Sequence, residues 1–294
     1  MAENLKVLRR RIRTVAGTKQ VTRAMEMVSA SKLRKAQNRL LSGRPFTQKI
    51  QEMLSHLLGA PGVGENPLFA ERTAGRTLVV VITADRGLAG SFNARLLSAA
   101  DEYLSQLPAG EAALYLIGKK GADYYRRHPR CEVVRAITDM GGNLSPERSA
   151  EITDELVGGF LSGRYKSVHI VFAHYVSTIL SRPTRIKFLP LDHESLAAEL
   201  AGGEEEERRA EYIFEPSPRA VFDKLLPAYL RSRVFMILAE NFTSEHSARM
   251  VSMSNATRNC EEMLYDLTLR RNKARQASIT KEMLEIVSGA EALK

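Results

Sequence analysis

Two long helical patterns, one at each end of the chain, constrain this fold more than any other feature. Residues 3–57 contain no proline before Pro45, and residues 228–287 contain neither proline nor glycine. In both segments apolar or small side chains recur every three or four positions, which predicts α-helices. At ~1.5 Å per residue the first helix would be roughly 80 Å long. The recurring residues are Leu5, Leu8, Ile12, Val15, Thr22, Met25, Ser29, Ala36 and Leu40, then Met250, Met253, Thr257, Cys260, Leu264 and Leu267.

The economical arrangement of these helices is an antiparallel coiled coil. Its seam would contain Thr, Ser, Ala and Met, where a strong coiled coil has Leu and Ile. A seam of small residues indicates that the pair also relies on outside partners to bury its surface. The alternative is an ordinary, self-sufficient coiled coil.

The middle of the chain has a different pattern. Continuous apolar runs are typical of strands buried on both faces of a parallel sheet, and helical segments separate several of them. This alternation predicts the α/β class, with a small Rossmann-like α/β domain inserted between the paired helices. The predicted strands are 78–83, 112–117, 131–137, 167–172 and 185–191, and the predicted helices are 91–107, 119–127 and 146–162.

The predicted domains are therefore an N-terminal helix over 1–58, an α/β domain over 75–192 and a C-terminal helix over 212–294. A charged segment over 195–211 reads as a solvated connector. We expect Pro227 to kink or interrupt the last helix and Gly289 to end it.

The distribution of charge and the length of the apolar runs indicate which kinds of partner this chain could bind. The net charge is +9, yet residues 1–50 hold thirteen Lys or Arg and two Glu, a local balance of +11. This segment favours an acidic partner such as nucleic acid, a membrane surface or an acidic protein loop. No run approaches ~20 apolar residues, so we expect no bilayer span.

The residue types needed for catalysis are not arranged in any recognisable site. No phosphate-binding loop is present, and the Gly87 and Gly90 turn after the first strand lacks the dense glycines that wrap phosphate. The six histidines show no metal-binding pairing, and His169 reads as a satisfied interior histidine. Two distant cysteines, Cys131 and Cys260, form neither a disulfide framework nor a zinc site. We therefore expect no catalytic residue, no metal and no cofactor.

Motifs at both ends of the chain carry a specific resemblance. The segments QVTRAMEMVSASK at 20–32 and NKARQASITKE at 272–282 resemble those of bacterial F-type ATP synthase gamma subunits. Segments 85–88, 213–216 and 244–250 agree in the same order. The family usually has Cys where Ala89 stands, and often Tyr where Arg271 stands.

The resemblance implies a central rotor shaft that catalyses nothing itself. Its paired helices would stand in a ring of alpha and beta subunits, whose beta subunits hold the catalytic sites. Its α/β domain would be a foot that meets the epsilon subunit and the membrane c-ring, at the cytoplasmic face of the bacterial inner membrane. The residues implied in contacts are Met25, Arg275, Gln276 and Thr280 with beta subunits, and Phe214 and Glu215 with the membrane ring.

Two other classes remain as alternatives. A basic coiled-coil protein that binds nucleic acid fits the charge of residues 1–50, but this segment lacks the interleaved aromatic residues of single-strand binders. A Rossmann-like enzyme would need a nucleotide loop that the sequence does not contain.

Overall fold

The structure, a computed structural model, describes residues 5–141, 144–200 and 214–291. Two very long helices flank a set of alternating strands and helices. The helices are α1 Leu5–Leu57, α2 Phe92–Gln106, α3 Lys119–Arg127, α4 Pro146–Leu161, α5 His193–Leu200 and α6 Pro218–Glu291, with one 3-10 turn at Val63–Glu65. The strands are β1 Arg76–Ile82, β2 Ala112–Ile117, β3 Glu132–Ile137, β4 Tyr165–Tyr175 and β5 Ser181–Leu189.

The strands form one sheet in the order β3-β2-β1-β4-β5. The first four strands are parallel, and β5 is antiparallel to β4. A short turn at 176–180 joins these two strands, and a connection of that length can only reverse the chain direction. An order that runs outward in both directions from β1 is that of the doubly wound folds. The predicted α/β class is confirmed.

Helices cover both faces of the sheet, which is why its strands are apolar throughout. Val79, Val81 and Leu114 face a cluster formed with α2 and α3. Leu78 and Val80 face the opposite cluster, which includes α4 and parts of both long helices. Burial on both faces makes β1 and β2 the centre of the core.

The chain divides into two compact units. We call residues 1–30 with 249–294 the helical unit, and residues 31–248 the α/β unit. In the helical unit Thr257 Oγ1 lies 2.9 Å from Thr22 Oγ1, and Lys19 Nζ lies 2.8 Å from a Glu261 carboxylate oxygen. Residues later in α1 therefore contact residues earlier in α6, so the two helices are antiparallel. The predicted segments 1–58, 75–192 and 212–294 remain a sequence prediction.

Three local predictions were wrong. The predicted interruption at Pro227 does not occur, because Leu226, Tyr229 and Leu230 are completely buried around it and packing keeps α6 continuous; the predicted kink stays a prediction. Gly289 does not end α6, which continues to Glu291. The first part of the predicted connector, residues 195–200, belongs to helix α5, whose Leu196 is buried in the core. Residues 201–211 of the connector lie outside the described part of the chain.

Candidate interaction surfaces

Helix α6 projects beyond the described end of α1. The contacts of Thr22 with Thr257 and of Lys19 with Glu261 set the register, and extending it places Leu5 level with about residue 274. Helix α6 nevertheless continues to residue 291. Its last four to five turns therefore have no described residue of α1 beside them.

Three residues implied in beta-subunit contact lie on this projecting segment. Arg275, Gln276 and Thr280 are all exposed. Thr280 donates a hydrogen bond to the Gln276 carbonyl oxygen at 3.0 Å, one turn earlier. Among the described residues, the side chains of Arg275 and Gln276 have no hydrogen-bond or ion-pair partner. The structure thus brings the three together on an open surface, with their polar groups available.

The same segment exposes a set of large apolar side chains. Four of the five lie on one helical face, because Met283 is four residues from both Ile279 and Val287 and three from Ile286. A single helix of this length is marginally stable in water, and a contiguous apolar surface of this kind marks an interaction site. The exposed fractions are 49% for Ile279, 64% for Met283, 62% for Leu284, 72% for Ile286 and 59% for Val287.

Met25 lies elsewhere on the helical unit. It is half-buried on α1, and its carbonyl oxygen accepts a hydrogen bond from Ser29 Oγ at 2.7 Å. The register places Met25 level with about residue 254, roughly 30 Å along α6 from Arg275. The structure therefore does not bring Met25 together with the other three residues. The predicted beta-subunit contacts therefore fall at two separate levels of the paired helices.

Phe214 and Glu215 precede α6 in the α/β unit. Phe214 is half-buried and packs against the core cluster that contains the long helices, whereas Glu215 is exposed. The aromatic ring thus fixes this short segment on the unit. The neighbouring carboxylate remains accessible to a partner.

At the carboxyl ends of β1, β2 and β3, Asp85 joins three loops. Its carboxylate accepts backbone N–H bonds from Lys119 at 3.0 Å, Asp139 at 3.1 Å and Gly141 at 2.7 Å. Leu88, later in the same loop, has a positive φ of 61° that a non-glycine residue rarely adopts. The Asp85-Arg86-Gly87-Leu88 motif therefore has a structural role: one carboxylate organises the loops on this edge.

The crevice in which doubly wound folds bind ligands is filled here by the chain itself. Such ligands sit beyond the carboxyl ends of the strands where the strand order reverses, between β1 and β4. Their pairing ends at Val81 and Val171, and Ala173 lies beyond it. There Asn241 Oδ1 accepts the Ala173 N–H at 3.0 Å, and Ser244 Oγ donates to the Ala173 carbonyl at 3.1 Å. Helix α6 thus takes the place of a ligand.

Sequence reasoning missed this contact, although a signal was present. Helix α6 carries an unbroken polar run, SEHS at 244–247, preceded by Asn241 and Thr243. All of these polar side chains are buried. A run of polar residues around the whole circumference of a helix indicates packing against polar backbone, here the end of β4.

The interpretation of His169 as a satisfied interior histidine was wrong. Its Nδ1 is buried and has no hydrogen-bond partner among the described residues. Burial, with Arg185 and Lys187 nearby, lowers the pKa of His169 from 6.5 to about 4. Its ring centroid lies 5.0 Å from that of Tyr103, and the Arg185 guanidinium lies 4.0 Å above the Tyr103 ring. His169 is therefore neutral at pH 7 and surrounded by groups that keep it so.

The described residues form neither a metal-binding cluster nor a membrane-spanning helix. They contain no group of three or more His, Cys, Asp or Glu side chains placed to hold a metal ion. None of the helices they form has the length and apolar character required to cross a membrane.

Comparison with known proteins assigns the family. The family model described as ATP synthase matches residues 4–293. The ATP synthase gamma chain of Moorella thermoacetica is 41% identical over 291 residues, covering 99% of each chain, and that of Pelotomaculum thermopropionicum is 39% identical with the same coverage. This chain belongs to the ATP synthase gamma chain family. Gamma chains are non-catalytic central stalk subunits, which confirms the predicted family, the predicted stalk function and the prediction that the chain is not itself an enzyme.

Solved structures confirm the fold of this gamma chain. A chain of the Euglena gracilis mitochondrial ATP synthase aligns with a TM-score of 0.66 at 19% identity, covering 98% of this chain and 94% of that one. A chain from the central stalk and c-ring of the Tetrahymena thermophila enzyme aligns with a TM-score of 0.58 at 24% identity, covering 80% and 99%.

Proposed function

We propose that this gamma chain is the rotor shaft that couples ion-driven rotation of a membrane ring to conformational change at catalytic beta subunits. The helical unit turns inside a ring of alpha and beta subunits. The α/β unit is the foot, which meets the epsilon subunit and the membrane c-ring. The chain is then a peripheral protein at the cytoplasmic face of the bacterial inner membrane.

The projecting end of α6 is the observation that carries this proposal. It exposes five large apolar side chains on helical turns that have no described residue of α1 beside them. Covering each of them in a protein sleeve would contribute on the order of 1 kcal/mol. A shaft tip enclosed by a ring provides such cover from every side, and an apolar sleeve lets the tip turn without breaking directional bonds.

Electrostatics support a second contact lower on the shaft. Helix α1 exposes Arg9, Arg10, Arg13 and Arg23, within a segment of local balance +11. An acidic loop of a beta subunit would be attracted to this face, and the attraction would be sensitive to salt. Met25 lies within this basic segment.

Specific residues have different parts in the proposal. Arg275, Gln276 and Thr280 contact a beta-subunit loop near the shaft tip, where an Arg guanidinium can bind a carboxylate with two parallel hydrogen bonds. Met25 contacts another beta-subunit loop about 30 Å lower. In the foot, Glu215 faces the membrane ring and Phe214 holds that segment in place.

Site-directed cross-linking tests the proposal. In a background with Cys131→Ser and Cys260→Ser, we place one cysteine at Met25, Glu215 or Thr280 and assemble the complete complex. A short bifunctional maleimide should link positions 25 and 280 to a beta subunit, and position 215 to the membrane ring.

Arg126→Cys is the matched control. Arg126 is exposed near the end of α3 and belongs to none of the proposed contacts, so it should give neither product. An intact complex in which positions 25 and 280 link to no beta subunit would show that the helical unit is not the shaft.

A further inference from the structure

A cavity of about 430 Å³ lies under the C-terminal half of helix α4, and its floor crosses four neighbouring strands. Across the sheet, the floor is formed in turn by Arg135 on β3, Tyr115 on β2, Leu78 on β1 and Tyr165 on β4. Neighbouring strands lie about 4.8 Å apart, so the floor is about 14 Å long from β3 to β4. The cavity is therefore an elongated slot, and its volume is in the range of small-molecule sites.

A glycine in α4 keeps this slot open. Gly158 lines it, and a Cβ added there would have no heavy atom within 4 Å. Glycine is the poorest helix former after proline, and no close contact with the described residues requires it at position 158. Gly159 differs, because a Cβ there would lie 2.6 Å from the Tyr165 ring. The open side of Gly158 therefore leaves room for a ligand between the helix and the sheet.

The middle of the slot is apolar. The side chains of Leu78, Tyr115, Leu156 and Tyr165 are all buried and belong to one core cluster. Because core side chains are close-packed, these walls keep their positions whether or not the slot is occupied. An aliphatic or aromatic ligand body would remove apolar surface from water by lying against them.

The charged groups of the slot stand near its two ends. At the β3 end, the Tyr115 hydroxyl donates to one Glu155 carboxylate oxygen at 2.7 Å, and Arg135 lies 3.5 Å from the other oxygen. The charges of Glu155 and Arg135 therefore balance each other. At the β4 end, the Arg164 guanidinium has no hydrogen bond or ion pair with any residue that the structure describes. The lining thus carries one uncompensated positive charge.

This single charge selects among kinds of ligand. A cation would be repelled by Arg164. A phosphate monoester carries close to two negative charges at pH 7, and one guanidinium would leave part of that charge unbalanced. A carboxylate carries one negative charge and accepts two parallel hydrogen bonds from a guanidinium. The slot therefore suits a monocarboxylate best.

We propose that the slot binds a small organic monocarboxylate, with the carboxylate on Arg164 and an aliphatic or aromatic body over Leu78, between α4 and the sheet. The guanidinium supplies specificity for the charge, and the apolar walls supply affinity for the body. The inference does not depend on the shaft and foot contacts proposed for this gamma chain.

Photoaffinity labelling of the purified, complete complex with 4-benzoylbenzoate tests the proposal. This probe is a monocarboxylate whose apolar body is photoreactive, and it is used below saturation. Mass spectrometry should place the label on peptides that line the slot. The neutral analogue 4-benzoylbenzamide has nearly the same shape and should label these peptides at least about tenfold less, the effect of losing a charge-assisted hydrogen bond.

Two variants separate binding from folding. Arg164→Gln removes the charge and should also lower labelling by 4-benzoylbenzoate at least about tenfold. In Gly158→Leu the new side chain fills the slot, and leucine is the better helix former, so the label should be lost while thermal stability is unchanged or raised. Arg182→Gln is the matched control, because Arg182 is exposed on β5, outside the slot, and labelling should be unaltered.

Three results would overturn the proposal. The first is labelling of the slot peptides that is equally strong with the neutral amide or in Arg164→Gln. The second is labelling that persists in Gly158→Leu, or that maps only to other parts of the complex. The third is labelling of the free gamma chain but not of the complete complex, which would show that another subunit fills the slot.

Discussion

Replacing Arg275, Gln276 and Thr280 together with alanine should slow the assembled ATP synthase without weakening the fold of the gamma chain. All three side chains are exposed, and the one hydrogen bond that they make with residues described by the structure joins Thr280 to a carbonyl of its own helix. Alanine is the best helix former, so the free energy of unfolding should stay constant or rise by up to about 1 kcal/mol.

The expected loss of turnover is much larger than this change in stability. A hydrogen bond that involves a charged partner contributes about 1.5–3 kcal/mol, and a neutral one about 1 kcal/mol. If Arg275 favours the step that limits turnover, its loss alone slows the complex about tenfold or more, because 1.36 kcal/mol corresponds to a factor of ten.

The assay is ATP hydrolysis at saturating ATP after reconstitution with alpha and beta subunits, with assembly verified by size-exclusion chromatography. The matched control changes Arg258, Asn259 and Glu262 to alanine. These residues are exposed on the same helix, at a level where α1 lies beside it, and we expect turnover within about twofold of wild type. Wild-type turnover of the correctly assembled test variant would refute the reasoning. A test variant that fails to fold would show that the three residues have a structural role.

Three further outcomes follow from the α/β unit and the cysteines. The pKa of His169 in the folded state is lowered to about 4, so neutral His169 stabilises the fold above pH 6.5, and this contribution is lost as the pH falls toward 4. His169→Phe should therefore reduce the dependence of the urea-unfolding free energy on pH between 6.5 and 4. An equally steep dependence in the variant would contradict the assignment. Asp85→Ala should lower the free energy of unfolding by about 1–3 kcal/mol, because three backbone N–H groups lose their acceptor. A thermal melt identical to that of the wild type would exclude a structural role for the Asp85 carboxylate. Cys131 and Cys260 are both free thiols, so replacing them by serine should leave the dithiothreitol response of turnover in the complex unchanged, whereas an altered response would reveal a redox function.

Local periodicity was sufficient to predict much of this protein. The apolar runs at 78–83 and 112–117 identified the two central strands, since a strand covered on both faces must be apolar throughout. The stripe through Leu8, Thr22 and Ser29 identified the buried side of α1, because residues three or four apart share one face of a helix. The motifs at 20–32 and 272–282 indicated the family. The roles of individual residues in contacts with other subunits stay predictions.

Other features depended on the tertiary structure, because they arise between segments that are distant in the chain. Pro227 is a helix breaker by local rules, yet the burial of its neighbours outweighs the lost hydrogen bond. The side chains of Asn241 and Ser244 acquired their role only when α6 met the end of β4, 68 and 71 residues away in sequence. The orphaned nitrogen of His169 likewise results from the packing of α2, β4 and β5. The periodicity of apolar residues predicts which face of a helix or strand is buried. Which polar groups contact each other across the core depends on how the helices and strands pack in the tertiary structure.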